Sequence, residues 1–137
     1  MIYLSDFEGL WHIERVVDDA KGPSATFKGL ALFEPGENGL VLNETGALSI
    51  SGQGAFQASR RYCWSAEGVG IAVAFDDGRP FHWFDPNSRL VQSAHWCDPD
   101  QYDVTYDFTD WPNWSAAWHV RGPRKDYEMK STYRRVI

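Results

Sequence analysis

Long apolar runs are missing from this chain. No stretch approaches the ~18 consecutive apolar residues that a membrane-spanning helix requires. Basic residues are outnumbered: 13 Lys and Arg stand against 19 Asp and Glu, for a net charge of −6. Nucleic acid and anionic membrane surfaces select for concentrated Lys and Arg, so neither is expected as a partner. Cysteine is limited to Cys63 and Cys97. Met1 to Glu8 combine neither a basic start nor a long apolar stretch, so they do not read as a secretory signal. The expectation is a cytoplasmic protein with two free thiols. Also absent is any window of a dozen residues with a sustained 3.6-residue period, which argues against a helical domain.

Aromatic residues are plentiful. Seven Trp, 6 Tyr and 8 Phe make up 15% of the 137 residues, and hydrophobic residues reach 43%. That is enough for a packed core and excludes a disordered chain. Apolar residues alternate at period two through ten segments, at 10–17, 25–34, 40–48, 55–65, 69–75, 79–84, 90–97, 102–108, 114–121 and 127–136. Turn clusters separate them, among them Pro35-Gly36-Glu37-Asn38-Gly39, Asp76-Asp77-Gly78 and Asp98-Pro99-Asp100. The only helical candidate is one turn over 4–9, with Ser5 as its cap and Glu8 three residues on. Short connections predict antiparallel neighbours, and closure removes exposed edges. The expected fold is therefore all-β: one antiparallel up-and-down barrel of about ten strands, a single domain over residues 1–137. A sandwich is the alternative.

Gly9-Leu10-Trp11 opens the first strand and Tyr133-Arg134-Arg135 lies in the last. This resembles the calycin pattern of lipocalins and fatty-acid-binding proteins. There the Trp packs across the barrel end and an Arg of the last strand covers its indole. Arg135 is the better match for that Arg and Arg134 its rival. Gly29-x-Ala31-x-Phe33, Glu44-x-Gly46, Arg60-x-Tyr62-x-Trp64, Phe81-His82, His95-x-Cys97-x-Pro99-Asp100-x-Tyr102 and Trp118-x-Val120-x-Gly122-Pro123-x-Lys125-Asp126-Tyr127 add further spacings. Together they are similar to an uncharacterised bacterial family of lipocalin-like domains. The resemblance implies a barrel and brings no activity with it.

The pleat sets the inward faces. Trp11 as an anchor places Ile13, Arg15 and Val17 inside. Leu42, Glu44 and Gly46 share a face, as do Arg60, Tyr62 and Trp64, with Cys63 opposite. Tyr102, Val104, Tyr106 and Phe108 form another inward set, followed by Trp114, Ala116, Trp118 and Val120, and then by Tyr127, Met129, Ser131, Tyr133 and Arg135. Charges thus lie among rings, and His82 or His95 joins them. Glu44 and Arg60 stand on consecutive strands, which predicts a cross-strand ion pair. These groups either form a closed polar network or line a wet cavity that orients a polar or anionic ligand.

The expected function is binding of a small molecule, through Glu44, Arg60, Tyr62, His95, Tyr106, Trp118 and Lys125. Arg60 and Lys125 would meet anionic groups and Glu44 would hold Arg60. The rings would form walls and His95 would supply a hydrogen bond. Lys125 and Arg124 follow Gly122-Pro123 at a rim, where two cations can steer an anion; a turn aspartate is the competing partner. Trp111-Pro112-Asn113-Trp114 would cap the barrel mouth, with a sticky patch for a partner as the alternative. An enzyme using His95 as acid/base is the alternative, and a protein-interaction module a third. No catalytic residue, metal site or cofactor is assigned. His95 and Cys97 lie on one strand face but supply only two ligands, with no C-x-x-C or paired helical His to complete a set.

Overall fold

The computed structural model describes residues 1–136. Ten strands run in chain order: β1 (Gly9–Asp19), β2 (Ala25–Pro35), β3 (Leu40–Ile50), β4 (Gly54–Glu67), β5 (Gly70–Phe75), β6 (Pro80–Phe84), β7 (Leu90–Cys97), β8 (Asp100–Asp107), β9 (Trp114–Arg121) and β10 (Asp126–Arg135). All pairs are antiparallel, in the order β6-β5-β4-β3-β2-β1-β10-β9-β8-β7. Each strand pairs with its sequence neighbours except β6 with β7, and β1 meets β10 to bring the chain ends together. The sheet curls until β6 lies against β7, giving a nearly closed barrel. That last seam has no backbone ladder. A side chain bridges it instead: the Ser93 hydroxyl donates to the Trp83 carbonyl at 2.8 Å.

The expected alternation is what the strands bury. On β1, Trp11, Ile13 and Arg15 are buried, while Glu14 and Val16 are exposed. On β10, Met129, Ser131 and Tyr133 are buried between exposed residues. Cys63 and Cys97 are both free thiols, one half-buried and one exposed. Among the described residues no helix is long and apolar enough to cross a membrane.

The short helical turn is 3-10, spanning Leu4–Phe7, and Ser5 does not cap it. The Asp6 carboxylate accepts from the Tyr3 N–H at 2.7 Å instead. Because Asp6 stands inside the turn, its carboxylate folds back onto the orphan N–H at the start. The turn drives Phe7 into the barrel end, where it is fully buried against Trp11, Phe33, Trp64, Phe108, Trp111 and Trp114. The aromatic cap expected at the barrel mouth lies instead at this closed end, carried by Trp111. Its ring centroid lies 5.0 Å from that of Phe7.

The end clasp joins the two termini. The Trp11 indole N–H donates to the Phe7 carbonyl at 2.8 Å, and the Arg135 guanidinium lies 4.1 Å over the Trp11 ring. Arg135 also donates to the carbonyls of Glu8, at 2.6 Å, and Asp6. Gly9 has φ of +118°, and a Cβ there would stand 2.8 Å from Arg135 Nη1. Glycine is therefore required both by the backbone and by the guanidinium. Trp11→Ala should cost about 3–5 kcal/mol, as a large core truncation that also releases Arg135. Urea unfolding checks this, and a midpoint equal to that of the unaltered protein would contradict the clasp.

Candidate functional site

Opposite the closed end, the β1–β2, β3–β4, β5–β6, β7–β8 and β9–β10 connections surround a mouth. Beneath it lies a cavity of about 290 Å³. Its inner wall carries a buried polar network. Arg15 Nη2 donates to Glu44 Oε1 at 2.8 Å, and Arg15 Nε donates to the Ser131 hydroxyl at 2.7 Å. The Tyr133 hydroxyl donates to Glu44 Oε2 at 2.7 Å. Burial opposes the charge on Arg15, but the Glu44 carboxylate together with Tyr133 and Tyr62 outweighs it and holds the guanidinium above its ordinary value. Burial first, and then Glu44, push the Tyr133 phenol well up, so it stays a donor.

This network corrects the expected Glu44–Arg60 pair. Glu44 and Arg60 are register partners across β3 and β4, yet both carboxylate oxygens are taken by Arg15 and Tyr133. The reason is desolvation. Arg15 is buried and loses most without an anion, whereas exposed Arg60 can keep its charge in water. The inner face of β2 permits the reach from β1 to β3. Arg15 pairs in register with Phe27 and lies 5.4 Å over its ring, Glu44 pairs with the small Ala31, and Gly29 stands between them where the β3 backbone is so close that a Cβ would collide with the Thr45 carbonyl oxygen. Arg60 lines the cavity at its rim and has no ion-pair or hydrogen-bond partner among the described residues.

A second polar pair faces the first across the rings. His82 and Tyr106 share a hydrogen bond of 2.8 Å between Nε2 and the phenol oxygen. Burial, aided by nearby His95, pushes His82 down to about 3, so its imidazole is neutral. Burial raises the Tyr106 phenol well above its usual value. His82 Nδ1 is buried with no hydrogen-bond partner among the described residues.

At the mouth, Tyr62, Tyr102 and Tyr127 line the opening with Arg60. The Lys125 ammonium pairs with Asp100 at 3.1 Å, donates to the Tyr102 hydroxyl at 3.2 Å and lies 5.7 Å over the Tyr102 ring. Those hydrogen bonds, from Tyr102 first and then Asp100, hold it above the ordinary lysine range. Asp126 goes to His119 instead, at 3.2 Å. Burial raises the Tyr127 phenol, Tyr102 adds to this, and Arg60 and Lys125 pull it back. Both cations are therefore within electrostatic reach of one mouth hydroxyl.

Of the expected residues, Glu44, Arg60, Tyr62, Tyr106 and Trp118 line this one cavity, and Lys125 sits on its rim. His95 does not line it. It is half-buried behind Phe81, edge-on with ring centroids 5.2 Å apart. His82 takes the interior position, with Arg15, Ser131 and Tyr133. Their strand phase signalled these three, whereas Phe81 was invisible to alternation. A register shift between Val73 and Ala74 pairs Ala74 with Pro80 and Val73 with His82, so Phe81 is skipped by the ladder. Phe81 and His82 can then both turn toward the cavity, as a bulge allows. Among the described residues no three His, Cys, Asp or Glu side chains come together as a metal site.

The family model for a family of unknown function (DUF6314) matches residues 7–135. The chain belongs to that family. No curated protein matches the sequence. Among solved structures, the S-type phycobiliprotein lyase from Guillardia theta is similar in fold, with a TM-score of 0.65. It is 9% identical, and the match covers 98% of this chain and 90% of that one. At that identity the likeness extends to the barrel architecture alone.

Two measurements test the site. Glu44→Gln leaves Arg15 without an anion and should destabilise the protein by about 3–5 kcal/mol, as for a broken buried pair; the urea midpoint reads it. For His82, the unfolded imidazole titrates near 6.5 and the folded one near 3. The unfolded chain alone binds that proton, so this contribution is complete above pH 6.5 and is lost as pH falls toward 3. The slope is up to about 1.4 kcal/mol per pH unit. His82→Gln should flatten the acid limb of stability against pH between those limits.

Proposed function

We propose that this DUF6314 barrel binds a small molecule carrying an anionic group, with Arg60 as the anion's partner. The observation that carries the reading is the electrostatic imbalance of the cavity. Glu44 cancels Arg15 inside, Asp100 cancels Lys125 at the rim, and Arg60 is left over. A guanidinium at the edge of an aromatic-walled recess offers forked donors to a carboxylate or phosphate. The phenols of Tyr62 and Tyr127 flank it, and Lys125 adds long-range attraction. Trp118 and Tyr106 supply walls, and Glu44 acts indirectly, by holding the polar floor rather than Arg60 itself.

A cavity of about 290 Å³ lies at the small end of ligand pockets. At one water per ~30 Å³ it holds on the order of ten non-hydrogen atoms. The ligand is therefore a small metabolite-sized acid, met in the cytoplasm where Cys63 and Cys97 stay reduced. An acid/base role for His95 has less support, because Phe81 stands between it and the cavity.

Calorimetric titration with small aromatic and aliphatic carboxylates and phosphates tests the reading. At least one should bind, and Arg60→Ala should weaken it by roughly 10- to 100-fold, the worth of a charged hydrogen bond. The melting temperature should hardly move, since Arg60 is exposed. Binding indifferent to that substitution, or no binding across the panel, contradicts the proposal.

A further inference from the structure

The mouth of the cavity is filled by one of the protein's own rings. Phe81 stacks on Phe75 with ring centroids 4.4 Å apart and an interplanar angle of 20°, and on Trp118 at 5.0 Å and 12°. Tyr62 lies nearly parallel at 6.1 Å, while His95 and Tyr102 meet Phe81 edge-on. Rings from five strands thus converge on one phenyl, with two of them making a parallel-walled slot around it. The wall continues to the unpaired guanidinium, because Arg60, Tyr62 and Phe75 line the same opening.

The segment that carries Phe81 is weakly tied. The β5–β6 ladder skips this residue. On its other side β6 faces the seam with β7, where no backbone ladder forms and the Ser93–Trp83 hydrogen bond is the side-chain bridge. A ring on a bulge at an unzipped seam can leave its place without breaking a strand pair. A parallel aromatic slot is also selective: offset stacking rewards flat π faces over saturated groups of the same size.

We propose that the slot between Phe75 and Trp118 is the seat of a planar aromatic ring on the ligand, one or two fused rings bearing the anionic group, and that Phe81 holds this seat until the ligand displaces it. The proposal rests on the reading that Arg60 binds an anion, and it adds the class of acid and the residue that competes with it. Phe81 is then a specificity-determining residue. Its removal opens the seat, and its presence sets a threshold that only a well-stacked ring overcomes.

The test compares 2-naphthoate with decalin-2-carboxylate, its saturated counterpart, by calorimetry on the intact protein. The saturated acid is the more hydrophobic, so simple burial favours it and stacking favours naphthoate. The unaltered protein should bind naphthoate about tenfold more tightly. Phe81→Ala should raise naphthoate affinity by about a further tenfold and leave decalin carboxylate within about twofold. Phe81→Leu, which keeps bulk without a π face, should also favour naphthoate. Should the alanine variant fold poorly, the comparison on the unaltered protein still decides. Equal affinity for the two acids, with both weakened by Arg60→Ala, would overturn the stacked seat and leave anion binding standing. Failure of both acids to bind any of these proteins would overturn the seat, and the anion reading would then stand or fall on the panel of smaller carboxylates and phosphates.

Discussion

Across the inner wall of the barrel, the Arg15 guanidinium on β1 lies over Phe27 of β2 and meets Glu44 on β3, whose second oxygen is held by Tyr133 of β10. One carboxylate thereby joins strands from the start, middle and end of the chain. A buried charge must be matched where it lies, and this one is matched from two directions. The site follows from that arrangement. Once Arg15 and Tyr133 take Glu44, the nearest cation across the ladder, Arg60, has no ion-pair partner among the described residues. At the Gly29–Gly46 pair the backbones of β2 and β3 approach so closely that neither position has room for a Cβ.

The two ends of the barrel are built differently for the same physical reason. At the closed end the rings are packed around Phe7, with the Trp64 and Trp114 indole N–H groups buried and without a hydrogen-bond partner among the described residues, and the termini are locked by Arg135 over Trp11. At the mouth every ring is accompanied by a hydroxyl, a guanidinium or an ammonium. Such groups keep hydration or seek a partner, and a recess lined by them stays receptive. The seam between β6 and β7 opens on this receptive half. Sheet closure is therefore least complete near the place where a ligand would enter.

The likeness to a phycobiliprotein lyase at 9% identity shows how far architecture travels without its side chains. Ten antiparallel strands close by the same geometry whatever rings fill them. Function on such a frame depends on which charges are cancelled and which are not. In this protein the distinguishing features are the cancelled pair within, the uncancelled Arg60 at the rim and the ring that blocks the slot beside it.

The resemblance to the calycin pattern implied the clasp of Trp11 with Arg135, while period-two alternation and turn chemistry were enough to define all ten strands, their antiparallel order and the inward sets on β1, β8, β9 and β10. These are local properties: a pleat assigns faces residue by residue, and a turn cluster stops a strand wherever it occurs. Five expected site residues therefore converge on one cavity, because each lies on a face that its strand phase specifies. Partner choice is not local. Glu44 has Arg60 as its register neighbour and Arg15 two strands away, and only the curvature of the closed wall shows which one reaches it. The inward turn of Phe81 arises from a bulge, which shifts phase by one residue and leaves no trace in the alternation, and Phe81 then stands between His95 and the cavity while His82 enters on the regular face of Phe84. The sequence by itself determined which residues face inward along regular strands. The tertiary structure decided which of them pair, because desolvation is settled by distances across the barrel rather than by spacing along the chain.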